Sequence, residues 1–302
     1  MVLNWNGYDD TFKCVESFRK STYPHLRIII VDNASTDGSY EKIVDMFNEL
    51  KIIRSKKNGG YAAGMNLGIK EALKNNPEFI LLVNNDIIVE MNFLEPLVQL
   101  ALSNEKIGMI SPKVLYQHNK NLIYSAGAEI DLLRCAGICK FQGQTAVENA
   151  NVLRKISLAE GCFIMVKSSV FKQVGFLNEK YFMYFEDVEF SERVRKIFDI
   201  YYMPASIVYH KSGAGTSWQN YSSTYNYFFT RNRLFHYKDR NIFYRFYVIL
   251  FSVSVSLAKS ILILNGIIIQ KHTRRQRFHS LRSLWSGIRA GFLLIFHIRH
   301  LE

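Results

Sequence analysis

Short apolar runs rich in branched residues alternate with amphipathic stretches over the first 111 residues. Residues 26–31, 51–54, 79–83 and 107–110 are continuous, brief and bounded by polar or turn-forming residues, which predicts buried strands. Residues 39–50, 61–74 and 93–103 between them carry helical spacing. This alternation predicts a doubly wound α/β fold, a mostly parallel sheet flanked by helices with its ligand crevice at the carboxyl ends of the strands. Residues 112–160 are less regular, and Gly127, Gly137 and Gly143 punctuate short runs that predict a β-hairpin flap. Residues 167–174 and 186–197 then predict helices, and 200–203 and 207–209 predict short strands. The alternation ends near residue 215, so a catalytic domain is expected over 1–220 and a different structure over 221–302.

That second region is aromatic and basic from 221 to 247, then apolar from 248 to 269. The apolar run is long enough to cross a bilayer. Lys259 near its middle opposes a simple span, at about 2.5–3.5 kcal/mol for a charge at a helix centre. Ser252, Ser256, Lys259 and Ser260 recur at i, i+4, i+7 and i+8, one polar stripe on a helix. A helix in the interface plane, or one packed in a bundle with the stripe inward, satisfies it. Arg245 and Lys271 bracket the run, and Lys271, Arg274, Arg275 and Arg277 form a basic cluster suited to a cytoplasmic leaflet.

The formal charge of +12 takes its meaning from this layout: residues 231–302 carry +11 of it, and residues 1–230 only +1. A basic excess around an apolar run points to anionic lipid headgroups and away from nucleic acid. The four cysteines, Cys14, Cys135, Cys139 and Cys162, are scattered without a second Cys/His pair for a zinc knuckle, and read as free thiols in a reducing compartment. Residues 1–7 have neither the basic nor the apolar segment of a signal peptide, so the catalytic part is expected in the cytosol.

Five stretches carry candidate chemistry. Asp32 ends the apolar run 26–31 and begins a polar series, Asn33 to Gly38, where a carboxylate can accept hydrogen bonds from a nucleobase or ribose, or simply cap a turn. Asn58, Gly59 and Gly60 precede a helix and allow close approach of a flat or charged ligand, although such a turn is also ordinary. Asn84, Asn85 and Asp86 follow the run 79–83, where a carboxylate can hold a divalent cation on a diphosphate or decorate a turn. Glu186, Asp187, Glu189 and Glu192 open a predicted helix. The helix dipole and a Glu189–Arg193 pair account for the last two, but not for adjacent carboxylates behind the aromatic run 181–185, where burial can tune a general base. His210 ends a strand before Ser212, Gly213, Ala214 and Gly215, a structural position that also suits metal ligation.

In order along residues 1–215, Leu3-Asn4-Trp5-Asn6-Gly7, Val31 to Ser35, Asn58 to Tyr61, Asn84-Asn85-Asp86, Gly161-Cys162-Phe163, Val174-Gly175, Phe185-Glu186-Asp187 and His210 resemble family 2 glycosyltransferases of GT-A fold. The resemblance is to their rhamnosyltransferase-like and galactofuranosyltransferase-like branch. It implies a GT-A domain and inverting transfer of rhamnose or a related hexose from a uridine or thymidine diphosphate sugar to a lipid-linked or cell-surface glycan. It implies that Asp32 contacts the base and Asn58 and Gly60 the nucleoside, with Asn4, Asn6, Asn33, Asn85 and Gly161 completing the donor site. Asp86 and His210 would hold Mg²⁺ or Mn²⁺, Asp187 would deprotonate the acceptor hydroxyl, and Glu186 would bind acceptor or tune its neighbour. Two departures stand out: the chain starts inside the family's first strand, and Asn84 replaces a common first aspartate. A nucleotidyltransferase is disfavoured because no basic phosphate-gripping loop lies near the N-terminus. A catalytically impaired, membrane-anchored scaffold that binds nucleotide sugar is the alternative, and in either case the expected location is the cytoplasmic face of the membrane.

Overall fold

The computed structural model describes residues 1–145, 147–211, 222–265 and 274–296. Its strands are β1 (Val2–Asn4), β2 (Ile29–Asp32), β3 (Lys51–Arg54), β4 (Phe79–Asn84), β5 (Ile87–Val89), β6 (Ile107–Tyr116), β7 (Asn119–Ser125), β8 (Ala128–Asp131), β9 (Ala136–Cys139), β10 (Arg154–Lys155), β11 (Phe163–Lys167) and β12 (Asp199–His210). The helices are α1 (Tyr8–Arg19), α2 (Ser39–Met46), α3 (Gly60–Leu73), α4 (Leu94–Ser103), α5 (Ser168–Gln173), α6 (Glu186–Val194), α7 (Ser223–His236), α8 (Ile242–Leu264) and α9 (Arg274–Ile295). One sheet runs in the order β10-β12-β6-β11-β4-β1-β2-β3, with β5 on β12 and β7 on β6. Pairs β1–β2, β1–β4, β2–β3 and β6–β12 are parallel, while β11 runs antiparallel between β4 and β6.

Alternate side chains of the central strands feed two cores, as the two-residue period of a strand requires. Ile80, Leu82, Ile164 and Val166 join Met65 and Ile69 of α3 on one face. Leu81, Val83, Phe163 and Met165 join Phe18 of α1 and Leu97 of α4 on the other. Phe163 stacks on Phe18 and meets Phe93 edge-on, so Phe163→Ala would cost about 3–5 kcal/mol. Helix α3 closes on β1 through Gly64 and Gly68, where an added methyl would come within 2.5 Å of Leu3 and 2.7 Å of Met1.

Where the sequence predicts an element the structure differs mainly at its ends, and α1 lies in a stretch for which it predicts none. The strand expected over 26–31 is β2, starting at Ile29, because β1 and β3 offer partners only to residues 29–32. The helix expected over 39–50 stops at Met46, and Phe47 turns inward, fully buried against Val15, Ile30 and Ile43. The two short strands expected over 200–209 are one, β12, with a register shift between Met203 and Ile207. Pro204 lies in that shift, where its missing N–H interrupts the ladder at no further cost. In the irregular 112–160 stretch, β8 and β9 form the expected hairpin.

The chain forms two compact units. The first contains Met1–Ile130, Gly137–Phe182 and Glu186–Lys211, including every candidate site residue. The described part of the second comprises residues 131–136, 183–185, 222–265 and 274–296, largely α7, α8 and α9. Residues 212–215 and 266–273, with part of the apolar run and Lys271, lie outside the described residues.

Candidate active site

Parallel pairing brings the ends of β1, β2 and β4 side by side, which places Asn4, Asp32 and Asn84 along one edge. Asn4 is fully buried and its amide serves both neighbours. Its Nδ2 donates to Asp32 Oδ1 (2.8 Å) and Ser35 Oγ (3.1 Å), and its Oδ1 accepts from Thr11 Oγ1 (2.8 Å) and Asn85 Nδ2 (3.4 Å). Asp32 is 0% exposed. It also accepts from Ser35 Oγ (2.6 Å) and Ser35 N–H (3.0 Å), with Arg54 Nε at 3.8 Å. These bonds leave acceptor capacity on the carboxylate, but its full burial keeps it from the surface. Asn6, at φ 51°, is exposed beside it; its N–H donates to Ser35 Oγ (2.9 Å) and its Oδ1 accepts from Thr36 N–H (2.8 Å).

Asn33 ties this edge to the glycine turn. Its Nδ2 donates to Asn58 Oδ1 (2.9 Å) and Gly60 O (3.0 Å), and its Oδ1 accepts from Gly59 N–H (3.2 Å). Gly60 adopts φ +82°, and Tyr61 N–H then donates to Phe182 O (2.7 Å). The Tyr61 hydroxyl donates to Gly161 O, and Gly161 N–H donates to Asp187 Oδ2 (3.1 Å). An unbroken series of hydrogen bonds and adjacent residues therefore runs from Asn33 to Asp187.

The predicted metal pair forms where β12 runs antiparallel to β5. His210 faces Ile87 in register and Lys211 N–H donates to Asp86 O (3.0 Å), so the His210 imidazole lies beside the Asp86 side chain, Nε2 to Oδ2 3.1 Å. His210 is 1% exposed and Tyr124 packs edge-on against its ring. Both His210 ring nitrogens and Asp86 Oδ1 are buried without a hydrogen-bond partner among the described residues. Burial pushes the Asp86 carboxyl up, but the imidazole, its own backbone amide and Lys211 outweigh it and hold the group below the usual range. Orphaned nitrogen and oxygen donors on two strand ends fit a divalent cation that takes its remaining ligands from phosphate and water. No group of three or more His, Cys, Asp or Glu side chains that could hold a metal occurs among the described residues.

Asp187 and Glu186 start α6 with different surroundings. Asp187 accepts from Gly161 N–H and, through Oδ1, from Val188 N–H (2.8 Å). Glu186 is 6% exposed and its Oε2 lacks a hydrogen-bond partner among the described residues. Burial, then the neighbouring Asp187, raises its carboxyl well above the glutamate range. Three participants have no role in the sequence reading. Thr11 lies in a stretch to which it assigns no element, and Tyr61 enters only as the last residue of the Asn58 to Tyr61 motif and the first of a predicted helix. Glu160, raised by burial and accepting from Cys139 Sγ (2.6 Å), would be found only as the acid preceding Gly161. A cavity of about 360 Å³ touches this edge at Asn6, Gly7 and Lys211. A larger one of about 430 Å³ lies near Met1, Phe18, Ile29 and Phe79 and includes none of the site residues.

The sequence model of the family described as "Glycosyl transferase family 2" matches residues 2–175. The chain is 28% identical over 201 residues to the low-salt glycan biosynthesis hexosyltransferase Agl10 of Haloferax volcanii, a match covering 65% of this chain and 61% of that protein. It is 23% identical over 219 residues to the N-acetylglucosaminyl-diphospho-decaprenol L-rhamnosyltransferase of Mycobacterium tuberculosis, covering 65% of this chain and 70% of that one. Its fold is similar to that of a mannosyltransferase from Pyrobaculum calidifontis solved with GDP-Man and Mn²⁺ (TM-score 0.53, 11% identity, 99% of this chain and 86% of that one). The chain thus spans rather less than two thirds of the Haloferax protein's length.

Proposed function

Since this chain belongs to glycosyl transferase family 2, we propose that it transfers a hexose, rhamnose or a close relative, from a uridine or thymidine diphosphate sugar to a lipid-linked or cell-surface glycan acceptor, with inversion. The observation that carries the reading is the pairing of the buried Asp86 and His210 side chains at 3.1 Å on the sheet edge, together with the separate series that joins Asn33 through Gly60, Tyr61 and Gly161 to Asp187.

Asn6, Asn33, Asn58 and Gly60 form the nucleoside side of this site, with Asp32 behind them holding Asn4 and the Ser35 turn in place. Asn85, whose amide donates to Gly7 O and Thr11 Oγ1, fixes the loop that carries Asp86. Asp86 and His210 would hold Mg²⁺ or Mn²⁺, which when bound neutralises charge growing on the departing diphosphate. Asp187 takes the proton of the acceptor hydroxyl as its oxygen attacks the anomeric carbon from the face opposite the diphosphate. Glu186, neutral and buried, shapes the acceptor side. The long apolar helix α8 supports a membrane location, for which we propose the cytoplasmic face.

The test is transfer by the full chain in detergent, using uridine and thymidine diphosphate sugars, a polyprenyl-diphosphate sugar acceptor, and Mg²⁺ or Mn²⁺. Turnover that disappears in Asp187→Asn while donor binding persists supports the reading. Absence of both turnover and nucleotide binding in the wild type refutes it, and nucleotide binding without turnover favours a scaffold.

A further inference from the structure

Helix α8 is amphipathic in the wrong sense for water. Its buried positions include Ser252 (0% exposed) and Ser256, and Lys259 on the same side lies 5.1 Å from the Tyr225 ring of α7. Its exposed positions are apolar apart from Ser254 and the Tyr247 hydroxyl, and the large ones include Phe243 (83% exposed), Phe246, Leu250, Leu257, Ile261 and Leu264 (67%). At 100° per residue these six fall within about a 60° sector opposite the serines.

Helix α9 repeats the arrangement and adds charge. Its Gly287 and Gly291 let it close on α7, where an added methyl would lie 2.6 Å from Tyr227 O and 2.7 Å from Leu234 Cβ. Phe278, Trp285 and Phe292, each seven residues from the next, are exposed on the far side. Arg275, Arg282 and Arg289 are exposed at the same seven-residue interval, three positions before each aromatic. One helix edge therefore presents arginines beside aromatic rings, the pairing that favours the boundary between headgroups and acyl chains.

We propose that α8 and α9 lie flat in the surface of an anionic bilayer, α8 sinking its apolar sector into the acyl boundary and α9 pairing its three arginines with lipid phosphates. This deepens the membrane part of the reading above and does not depend on the transfer chemistry. The contacts among the helices decide against a span. Trp285 Nε1 donates to Ser260 Oγ (3.2 Å) and Arg245 Nη2 donates to Ile295 O (3.0 Å), so α9 runs antiparallel along most of α8. A transbilayer α8 would carry Arg289 to mid-membrane, along with Arg231 and Arg233 of the attached α7. Each costs roughly a hundredfold in partitioning. In the interface plane the exposed arginines reach the headgroups instead. The net charge of +11 over residues 231–302 selects an anionic lipid surface over a second copy of the same basic unit.

Flotation of the full chain with vesicles of phosphatidylcholine, with and without phosphatidylglycerol, tests the charge reading. The wild type should float preferentially with the anionic vesicles, and the triple variant Arg275→Gln, Arg282→Gln, Arg289→Gln should lose roughly a hundredfold in affinity for them. Unchanged binding of the triple variant overturns the role of α9. Tryptophan placed at Phe246, Leu257 or Leu264 tests orientation through quenching by lipids brominated at shallow or deep acyl positions, with native fluorescence subtracted. Equal shallow quenching at all three supports the flat placement, and deepest quenching at Leu257 overturns it. A chain that stays in solution as a dimer and ignores vesicles overturns the whole proposal. Because flotation does not read turnover, failure here and failure of the transferase reading are separate results.

Discussion

Gly60→Ala should damage this protein far more than a left-handed glycine alone would predict. The backbone at Gly60 has φ +82°, a conformation costing a residue with a Cβ about 1–2 kcal/mol. A methyl there would also stand 2.0 Å from Phe182 O and 2.7 Å from Phe182 C, both backbone atoms that no rotamer change can move aside. The segment at Phe182 would have to retreat by more than the slack in the Tyr61 N–H to Phe182 O bond of 2.7 Å. Losing that bond with its partners still inside the fold adds about 1–3 kcal/mol. The total is about 2–5 kcal/mol, against about 1–2 kcal/mol for Gly38→Ala, which shares φ +82° but has no atom within 4 Å of the added methyl. Denaturant unfolding of both variants beside the wild type measures the difference directly. Donor affinity should fall with Gly60→Ala as well, since Asn33 holds the Gly60 carbonyl. Equal destabilisation by the two substitutions would refute the claim that close approach, and not φ, demands glycine at 60.

Asp86→Ala and His210→Ala should each weaken metal-dependent nucleotide binding about 10- to 100-fold in titration calorimetry with Mn²⁺. His210→Ala should also lower the melting temperature, because it removes a buried ring packed edge-on against Tyr124 and 3.1 Å from Asp86 Oδ2. Asn4→Ala strips partners from buried Asp32, Ser35 and Thr11 at once and should cost about 2–4 kcal/mol in denaturant unfolding. Glu186→Gln should change the pH dependence of stability. The folded state keeps a proton that the unfolded chain releases above the ordinary value of 4.5, so wild-type stability falls as pH climbs past that value toward the raised folded one. The loss is about 1.4 kcal/mol per pH unit over that range, and thermal melts should show the variant gaining on the wild type as pH rises above about 5.

The strand ends were legible because apolar runs stop at polar residues, and Asp32, Asp86 and His210 announce themselves that way. What each side chain then meets was not legible. Asn4 reaches Asp32 across 28 residues and Asn85 reaches Thr11 across 74, through pairings that depend on strand order and leave no periodic trace. The sequence predicts separate strands at 200–203 and 207–209, yet β6 supplies partners to both, so tertiary pairing joins them across Pro204. The polar stripe of α8 was visible from spacing alone. Which side of α9 is covered was not, because that depends on where α7 packs.

The two adjacent acids at the start of α6 become distinguishable only in three dimensions. As sequence they are interchangeable, and both could serve as base. In the fold, Glu186 is sealed from water with an oxygen that lacks a hydrogen-bond partner among the described residues, so ionising it would bury an uncompensated charge beside a second carboxylate. Asp187, one residue on, is less buried and has two backbone N–H donors aimed at its oxygens, a setting built for negative charge. Placing one proton on the pair therefore puts it on Glu186 and leaves Asp187 as the acceptor of the next. On the proposed reading, the same burial that makes ionised Glu186 costly would leave Asp187 in the protonation state a base needs to draw a proton from a hydroxyl group.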